Sequence, residues 1–464
     1  MNYYLQILET MLLSTERVKL QRTIKKWAII AGGLLLVCRM DGIHGQEIID
    51  LNQCWKQLVE THVLSSNIRI IGDIEQLKLN QIRHQWYPQL GLTGQAIYQS
   101  DAISFNLMLP DPTTQPVSFI RRRIESPRDQ YKLYLDIQQP LYLGGIRKYL
   151  LQNVSTTSRI DQYRNAIDLR MLIEQVNTLY FQILLTRKKQ ELGRLVLSTL
   201  KEKEKSIVAA VRNGILQESD IDAIRVEILK TNQSLSEYRY LLEGLYTNLY
   251  DLTGIQARDD TQFLPPAIDI FDSIAGEKLE DLSFKEQQTM LDNTSMLMSA
   301  RRHPSLVAFM QAGYGRPALN MLSTNFEPYY IVGISLRWTI FDWNSSRNEQ
   351  QQIMLQKQMI EHQQATFTQN IRMASRMSQS RTEQLRESLR TDSAIVDLRS
   401  NITRRSANRL EKGIITATDY ISDLNAEHQA RIKLETDAIL WMQEKVNYYM
   451  LTGTIESLVL QKKK

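Results

Sequence analysis

The side chains that could do chemistry in this chain are few, and their spacing argues against it. Six histidines (His44, His62, His84, His303, His362 and His428) are scattered, none set at metal-ligand spacing beside cysteine or carboxylate partners. His303 stands directly before Pro304, a pair that ends a helix more readily than it binds a ligand. Met290, Met296 and Met298 are too few to line a metal path. No G-x-S-x-G elbow, phosphate loop or G-x-G-x-x-G fingerprint occurs. The sequence therefore offers no enzyme, no metal site and no cofactor site. What it offers is a repeated electrostatic feature: "RNGILQESD" (212–220) and "EKGIITATD" (411–419) each place an aspartate six residues after a Gly-Ile break. Glycine accepts positive φ and caps an incoming helix, so each break predicts a turn. Asp220 and Asp419 then fall early in the outgoing helix. Asp220 is expected as a solvated carboxylate stabilised by the helix N-terminus.

The elements that carry these breaks are long. All 11 prolines fall within 88–140 and 265–328, so 141–264 and 329–464 contain none. Helix interiors exclude proline, which lacks a donor and clashes with the preceding turn. Self-comparison at a constant offset of 199 aligns Gly214-Ile215 with Gly413-Ile414, Asp220 with Asp419, and Leu252-Thr253-Gly254 with Leu451-Thr452-Gly453. Upstream, "YPQLGLTGQAIY" (87–98) matches "HPSLVAFMQAGY" (303–314) at offset 216, so the first half holds a 17-residue insertion. The chain reads as a tandem duplication. Each half runs helix, two strands, long helix, break, shorter helix. The 68 residues of 146–213 make roughly 100 Å of helix and the 39 of 215–253 roughly 58 Å. The returning helix is too short to complete its column, and the stretches 48–86 and 278–302 are expected to stack on its end. Ile353, Ile360, Phe367 and Ala374 recur every seven residues, followed after a shift by Leu389, Val396 and Leu410, a pattern that packs helices side by side. On periodicity alone a coiled-coil rod would suffice.

The strands argue for more than a rod. "YKLYLDIQQPL" (131–141) and "YYIVGISLRW" (329–338) alternate apolar with polar or small residues, and with 89–98 and 305–314 they make four segments of about ten residues. That is the length of a transmembrane β-strand. Four strands cannot close a barrel in a bilayer, where open edges are forbidden, so copies must pool them. Two chains would supply eight and three would supply twelve.

The N-terminus reads as a secretory signal over 1–45. Arg17, Lys19, Arg22, Lys25 and Lys26 precede the apolar "WAIIAGGLLLVC" (27–38), which is too short to span a bilayer as a helix. The rival reading is a buried hydrophobic helix of a cytosolic protein. Of the 56 basic and 51 acidic residues, six and three lie in 1–45, so the mature chain carries 50 and 48. A balance of +2 argues against nucleic acid as a partner. Only Cys38 and Cys54 exist and the first lies in the signal, so no disulfide framework forms within one mature chain. Bulky Val37 before Cys38 speaks against lipidation there.

"YPQL", "QPLYLGG" (139–145), "WTIFDWNSSRNE" (338–349), the duplicated plan and the paired breaks resemble the TolC family of outer-membrane efflux channels across nearly all of the mature chain. "PALNM" before "YYIVGISLRWTIFDW" looks like its Bacteroidetes branch. The resemblance implies an α+β, mostly α membrane protein: a homotrimer with a 12-stranded transmembrane β-barrel, four strands per protomer, on a long α-helical barrel. On this plan 46–88 is a periplasmic helix, 89–141 and 304–341 the strand pairs, 142–254 and 342–453 the helix hairpins, 255–303 an equatorial region and 454–464 a tail. It further implies an outer-membrane location in contact with lipid, and tips at Gly214, Ile215, Leu216, Gly413, Ile414 and Ile415 that meet a periplasmic adaptor (membrane fusion protein) linked to an inner-membrane pump of the RND class. Tightening of the helix hairpin is the plainer role for those apolar residues. Asp419 aligns with the first of two family aspartates that ring the periplasmic entrance. The second position is Ser422, with Asp423 adjacent, and an arginine that the family places four residues before the first aspartate is Ile415 here. The implied function is passive export of small molecules. A type I protein-secretion outlet, a metal-ion efflux channel and a pore-free periplasmic coiled-coil scaffold are the alternatives. "IRRR" (120–123) is expected in the loop between the first two strands, as a solvated charge run.

Overall fold

A computed structural model describes residues 48–110, 119–266 and 278–453. The expected signal, Cys38 and the C-terminal tail lie outside these residues. The chain divides into two units, a small one described through residues 48–50 and 257–264 and a large one holding the rest. In the small unit β1 (Ile48–Ile49) pairs in parallel with β6 (Gln262–Phe263), and the Leu264 amide donates to the Ile49 carbonyl at 3.1 Å.

The large unit begins with α1 (Leu51–Thr61) and α2 (Val63–His84). The single helix expected over 48–86 is therefore broken, because His62 leaves the helical conformation and its Nδ1 accepts the Leu64 amide as the N-cap of α2. Next come the strands β2 (Gln89–Tyr98), β3 (Ser104–Pro110), β4 (Phe119–Glu125) and β5 (Asp129–Leu143), then the hairpin of α3 (Ile146–Arg212) and α4 (Glu218–Thr253). The second half repeats the plan with α5 (Leu279–Arg301), β7 (Ser305–Arg316), β8 (Glu327–Arg337), α6 (Ser345–Glu411) and α7 (Ala417–Leu451). Both long helices have 67 residues, and they begin and end at the same offset of 199. The duplication is thus physical as well as textual. Helix α5 ends at Arg301, before His303, whose Nδ1 lies 3.2 Å from the Gly144 carbonyl.

The insertion in the first half folds. β3 and β4 form an antiparallel hairpin, and Arg121, Arg122 and Arg123 lie on β4 opposite Met108, Leu107 and Asn106. The arginines stand on a strand and not in a loop, and Arg123 pairs with Glu125 on the same strand. Mixed basic and apolar composition hid this hairpin from alternation counting.

Four strands make one antiparallel sheet in the order β2-β5-β7-β8. Its register collects the apolar residues on one face: Leu92 pairs with Leu135, Leu135 with Ala312, and Ala312 with Tyr330. The next row is Leu90, Ile137, Met310 and Val332. The intervening rows, such as Gly91, Asp136, Gln311 and Ile331, occupy the opposite face, where Asp136 accepts from Gln311 at 3.0 Å and Gln138 at 2.8 Å. The apolar face is exposed: Leu92 is 71%, Tyr330 72% and Val332 67% accessible. Among the described residues β2 and β8 are each paired along one edge only.

Strand gives way to helix through two left-handed residues in each half. Gly144 and Gly145 (φ 65° and 82°) precede α3, and Trp343 and Asn344 (φ 52° and 65°) precede α6. Glycine accepts this region without cost, whereas tryptophan there is strained. A Cβ on Gly144 would stand 2.3 Å from the Ala300 carbonyl oxygen. Gly144→Ala is therefore expected to cost about 2 kcal/mol, through left-handed strain and displacement of the end of α5, in a denaturation midpoint.

Helices pack along the column as the length mismatch requires. The Trp55 indole donates to Asn177 at 2.6 Å, and the Thr61 hydroxyl reaches the Thr253 carbonyl at 3.4 Å, which sets α1 at the end of the shorter α4. α2 follows along α3, where Asn165 bonds Asn67 and the Leu64 carbonyl. α5 packs on both long helices, through Arg170 with Glu280 on α3 and Lys357 with Asp292 on α6. On α6 the buried positions include Ser378, Leu385 and Asp392, then Val396, Thr403 and Leu410. The seven-residue spacing holds within each set and slips by four between them, a stutter that keeps the seam facing its partner. That slip leaves Leu389 only half-buried, with Leu385 and Asp392 taking the seam.

Candidate functional site: the paired helix turns

The two turns are built alike. Gly214 (φ 73°) and Gly413 (φ 67°) follow the last turns of α3 and α6. The Ile215 amide donates to the Ala210 carbonyl at 2.9 Å and the Ile414 amide to the Arg409 carbonyl at 3.0 Å, the six-to-one bond that closes a glycine-capped helix. Each outgoing helix begins three residues after its isoleucine, because the turn itself consumes that span.

The aspartates then diverge. Asp419 caps its own helix: its Oδ2 accepts from the Thr416 amide at 3.1 Å and hydroxyl at 2.8 Å, while its own amide donates to the Thr416 hydroxyl at 3.2 Å. These bonds, the hydroxyl first, hold its carboxyl below the usual range, and the side chain faces solvent. Asp220 is buried, contrary to the solvated role expected for it. One oxygen accepts the Gln217 amide at 3.0 Å and the other accepts the Ala417 amide at 2.7 Å. A single carboxylate thus caps α4 and α7 together. Burial is tolerated because both oxygens are satisfied by amides at positive helix ends. The six-residue spacing common to both breaks was the sequence signal for the caps; the partner across the chain had none.

Beneath this bridge lies a dry cluster drawn from four helices, including Leu200, Ile224, Leu410, Tyr420 and Leu424. Leu216 and Ile415 pack against it and so serve the hairpin contact, whereas Ile215 and Ile414 are exposed. Burial pushes the Tyr420 hydroxyl up to about 12. Ser422 is exposed, while Asp423 accepts from the Ser406 hydroxyl and its carbonyl from Thr403 at 3.2 Å, tying α7 to α6. Of the expected constriction residues, Asp419 and Ser422 are exposed and Asp423 is committed to the hairpin.

His428 lines a cleft of 320 Å³ with Tyr420, Glu427 and Arg431. Its Nδ1 is buried without a hydrogen-bond partner. Burial, then the Arg431 charge, lowers its pKa, against the opposing pull of Glu227 and Glu427. The unfolded chain therefore binds the extra proton more readily, so stability is full above the ordinary histidine range and falls as pH drops below about 6.5. His428→Gln is expected to flatten that decline in melting temperatures taken on either side of the range.

Among the described residues no cluster of His, Cys, Asp or Glu side chains is arranged to hold a metal ion, and no helix is long and apolar enough to cross a membrane.

No family model and no curated protein matches the chain. Solved structures do. The outer membrane protein VceC of Vibrio cholerae shares 11% identity at a TM-score of 0.61, over 86% of this chain and 95% of that one. A membrane protein of Pseudomonas aeruginosa matches at 12% identity and a TM-score of 0.66, over 87% and 90%. The outer membrane channel CmeC of Campylobacter jejuni matches at 14% and 0.62, over 89% of each chain. The chain shares the fold of these proteins.

Proposed function

We propose that the protein is the outer-membrane channel of a tripartite efflux system, a passive trimeric conduit of the TolC family that exports small molecules. The observation that carries this is the sheet: an apolar face of four paired strands turned outward, polar residues behind it, and an unpaired edge on each side. Hydrocarbon tolerates such edges only when they are closed against further strands. Three copies would supply twelve, with Asp136, Gln138, Gln311 and Arg337 toward the lumen. Tyr98, Tyr131 and Tyr314 at one end of the apolar band and Trp338, Phe341 and Trp343 at the other fit aromatic girdles at the two interfaces. The fold shared with outer-membrane channels supports the same reading.

The helix turns would then lie at the end farthest from the membrane. Ile215 and Ile414 are the apolar side chains available there to an adaptor; Leu216 and Ile415 shape the turn beneath them. Asp419 and Ser422, exposed in the single chain, would border the narrowed mouth. Planar-bilayer recording tests the channel directly. The mature protein is expected to insert as a heat-modifiable trimer with discrete conductance steps, and a detergent-free soluble monomer without conductance would sink the reading. In the same assay Asp419→Ala should weaken cation preference, because three carboxylates near one axis attract cations; an unchanged reversal potential would remove Asp419 from the mouth.

A further inference from the structure

The internal contact between the two helix turns is directional, and the repeat shows where its counterpart must be. From the first turn, Asp220 reaches across to the Ala417 amide at 2.7 Å. Beside it Ile215 covers Gly413, where an added Cβ would meet Ile215 Cγ2 at 2.9 Å. Shifted by 199 residues, the donor side of this contact becomes Asp419 and Ile414, and the receiving side becomes Glu218 and Gly214. In one chain both sides are open: Asp419 and Ile414 are exposed, Glu218 is exposed, and nothing lies within 4 Å of a Cβ placed on Gly214. The long helices match in length and offset, so the backbone for a second contact is already formed on each side.

We propose that the occupant of this surface is a second copy of the chain: Asp419 of one protomer accepts the Glu218 amide of its neighbour, and Ile414 covers the neighbour's Gly214. The inference rests on the assembly proposed above and adds to it the contact by which the turns join. Asp419 would cap its own helix through Oδ2 and the neighbour's α4 through Oδ1, as Asp220 does for two helices within one chain. The apolar part of the seam changes character. Ile224 and Leu424, both in the buried cluster, have Asp423 and Arg225 as counterparts; Asp423 accepts from Ser406 and Arg225 pairs with Glu204 at 2.8 Å within the chain, so the seam between copies is more polar than the internal one. The two surfaces already fit each other within one chain, through Asp220 on the Ala417 amide and Ile215 on Gly413, and that fit favours a second copy over an unrelated apolar partner.

Paired cysteines give the test. Asp419→Cys with Glu218→Cys in one chain, oxidised in detergent, is expected to give covalent dimers and trimers at least about ten-fold above either single variant, since disulfides form only at close Cβ approach. Asp220→Cys with Ala417→Cys should close within one chain and leave the mass on a non-reducing gel unchanged. If the native mass is trimeric and the first pair gives no more cross-linking than the singles, the seam is wrong while the trimer stands. If the native mass is monomeric, both readings fall. Hydrogen exchange guards against misfolded variants. In the unmodified trimer the Glu218 amide should exchange at least about ten-fold more slowly than in Asp419→Ala. Equal rates would overturn the proposal.

Discussion

Val332→Arg is expected to abolish outer-membrane assembly. Val332 lies mid-strand on β8, 67% exposed, in the apolar row with Leu90, Ile137 and Met310. If that row faces lipid, an arginine there costs about 2–4 kcal/mol in each copy, and the penalties add around a closed barrel. The control is Ile331→Arg, one residue away on the polar face beside Gln311. It should assemble normally and change conductance instead. The measurement is the fraction of heat-modifiable trimer recovered from membranes. A one-residue shift reverses the face a strand presents, so two neighbouring positions should give opposite outcomes. Equal tolerance of both would mean that the apolar face is covered by protein.

Asp220→Ala is expected to cost about 2–4 kcal/mol and to release the first turn of α7. Two amides lose their acceptor at once. The Ala417 amide is buried, and leaving such a group unsatisfied costs about 1–3 kcal/mol. The cap on α4 at Gln217 is worth about 1 kcal/mol more. Asp220→Asn keeps one oxygen and should recover about half of the loss, since one acceptor remains and the charge at the helix ends is gone. Amide exchange at Ala417 gives the local reading and a melting curve the global one. If Ala417 stays protected in Asp220→Ala, the bridge does not hold the turns together.

Much of this was legible in the residues. Proline placement confined the long helices to 141–264 and 329–464, the stretches in which α3, α4, α6 and α7 lie, because proline is excluded by local sterics that need no partner. The Gly-Ile breaks located both turns for the same reason: a left-handed residue and a six-to-one bond are set by the chain's own geometry. Alternation found β5 and β8, the match of 87–98 with 303–314 pointed to β2 and β7, and the offset of 199 found the repeat that α3 and α6 then matched. The resemblance to outer-membrane channels agreed with the fold.

What tertiary structure decided concerns partners far apart in sequence. Asp220 and Asp419 look equivalent as text, yet one is buried across two helices and the other is exposed, because only Asp220 has a neighbouring turn in its own chain to meet. Asp423 looked free to line an opening and is instead held by Ser406 across the hairpin. Leu216 and Ile415 lie next to exposed isoleucines and nevertheless pack inward. Local periodicity fixes where an element starts, stops and turns. Which face meets which other element depends on the orientation of whole helices, a sum over many weak contacts that no single segment encodes.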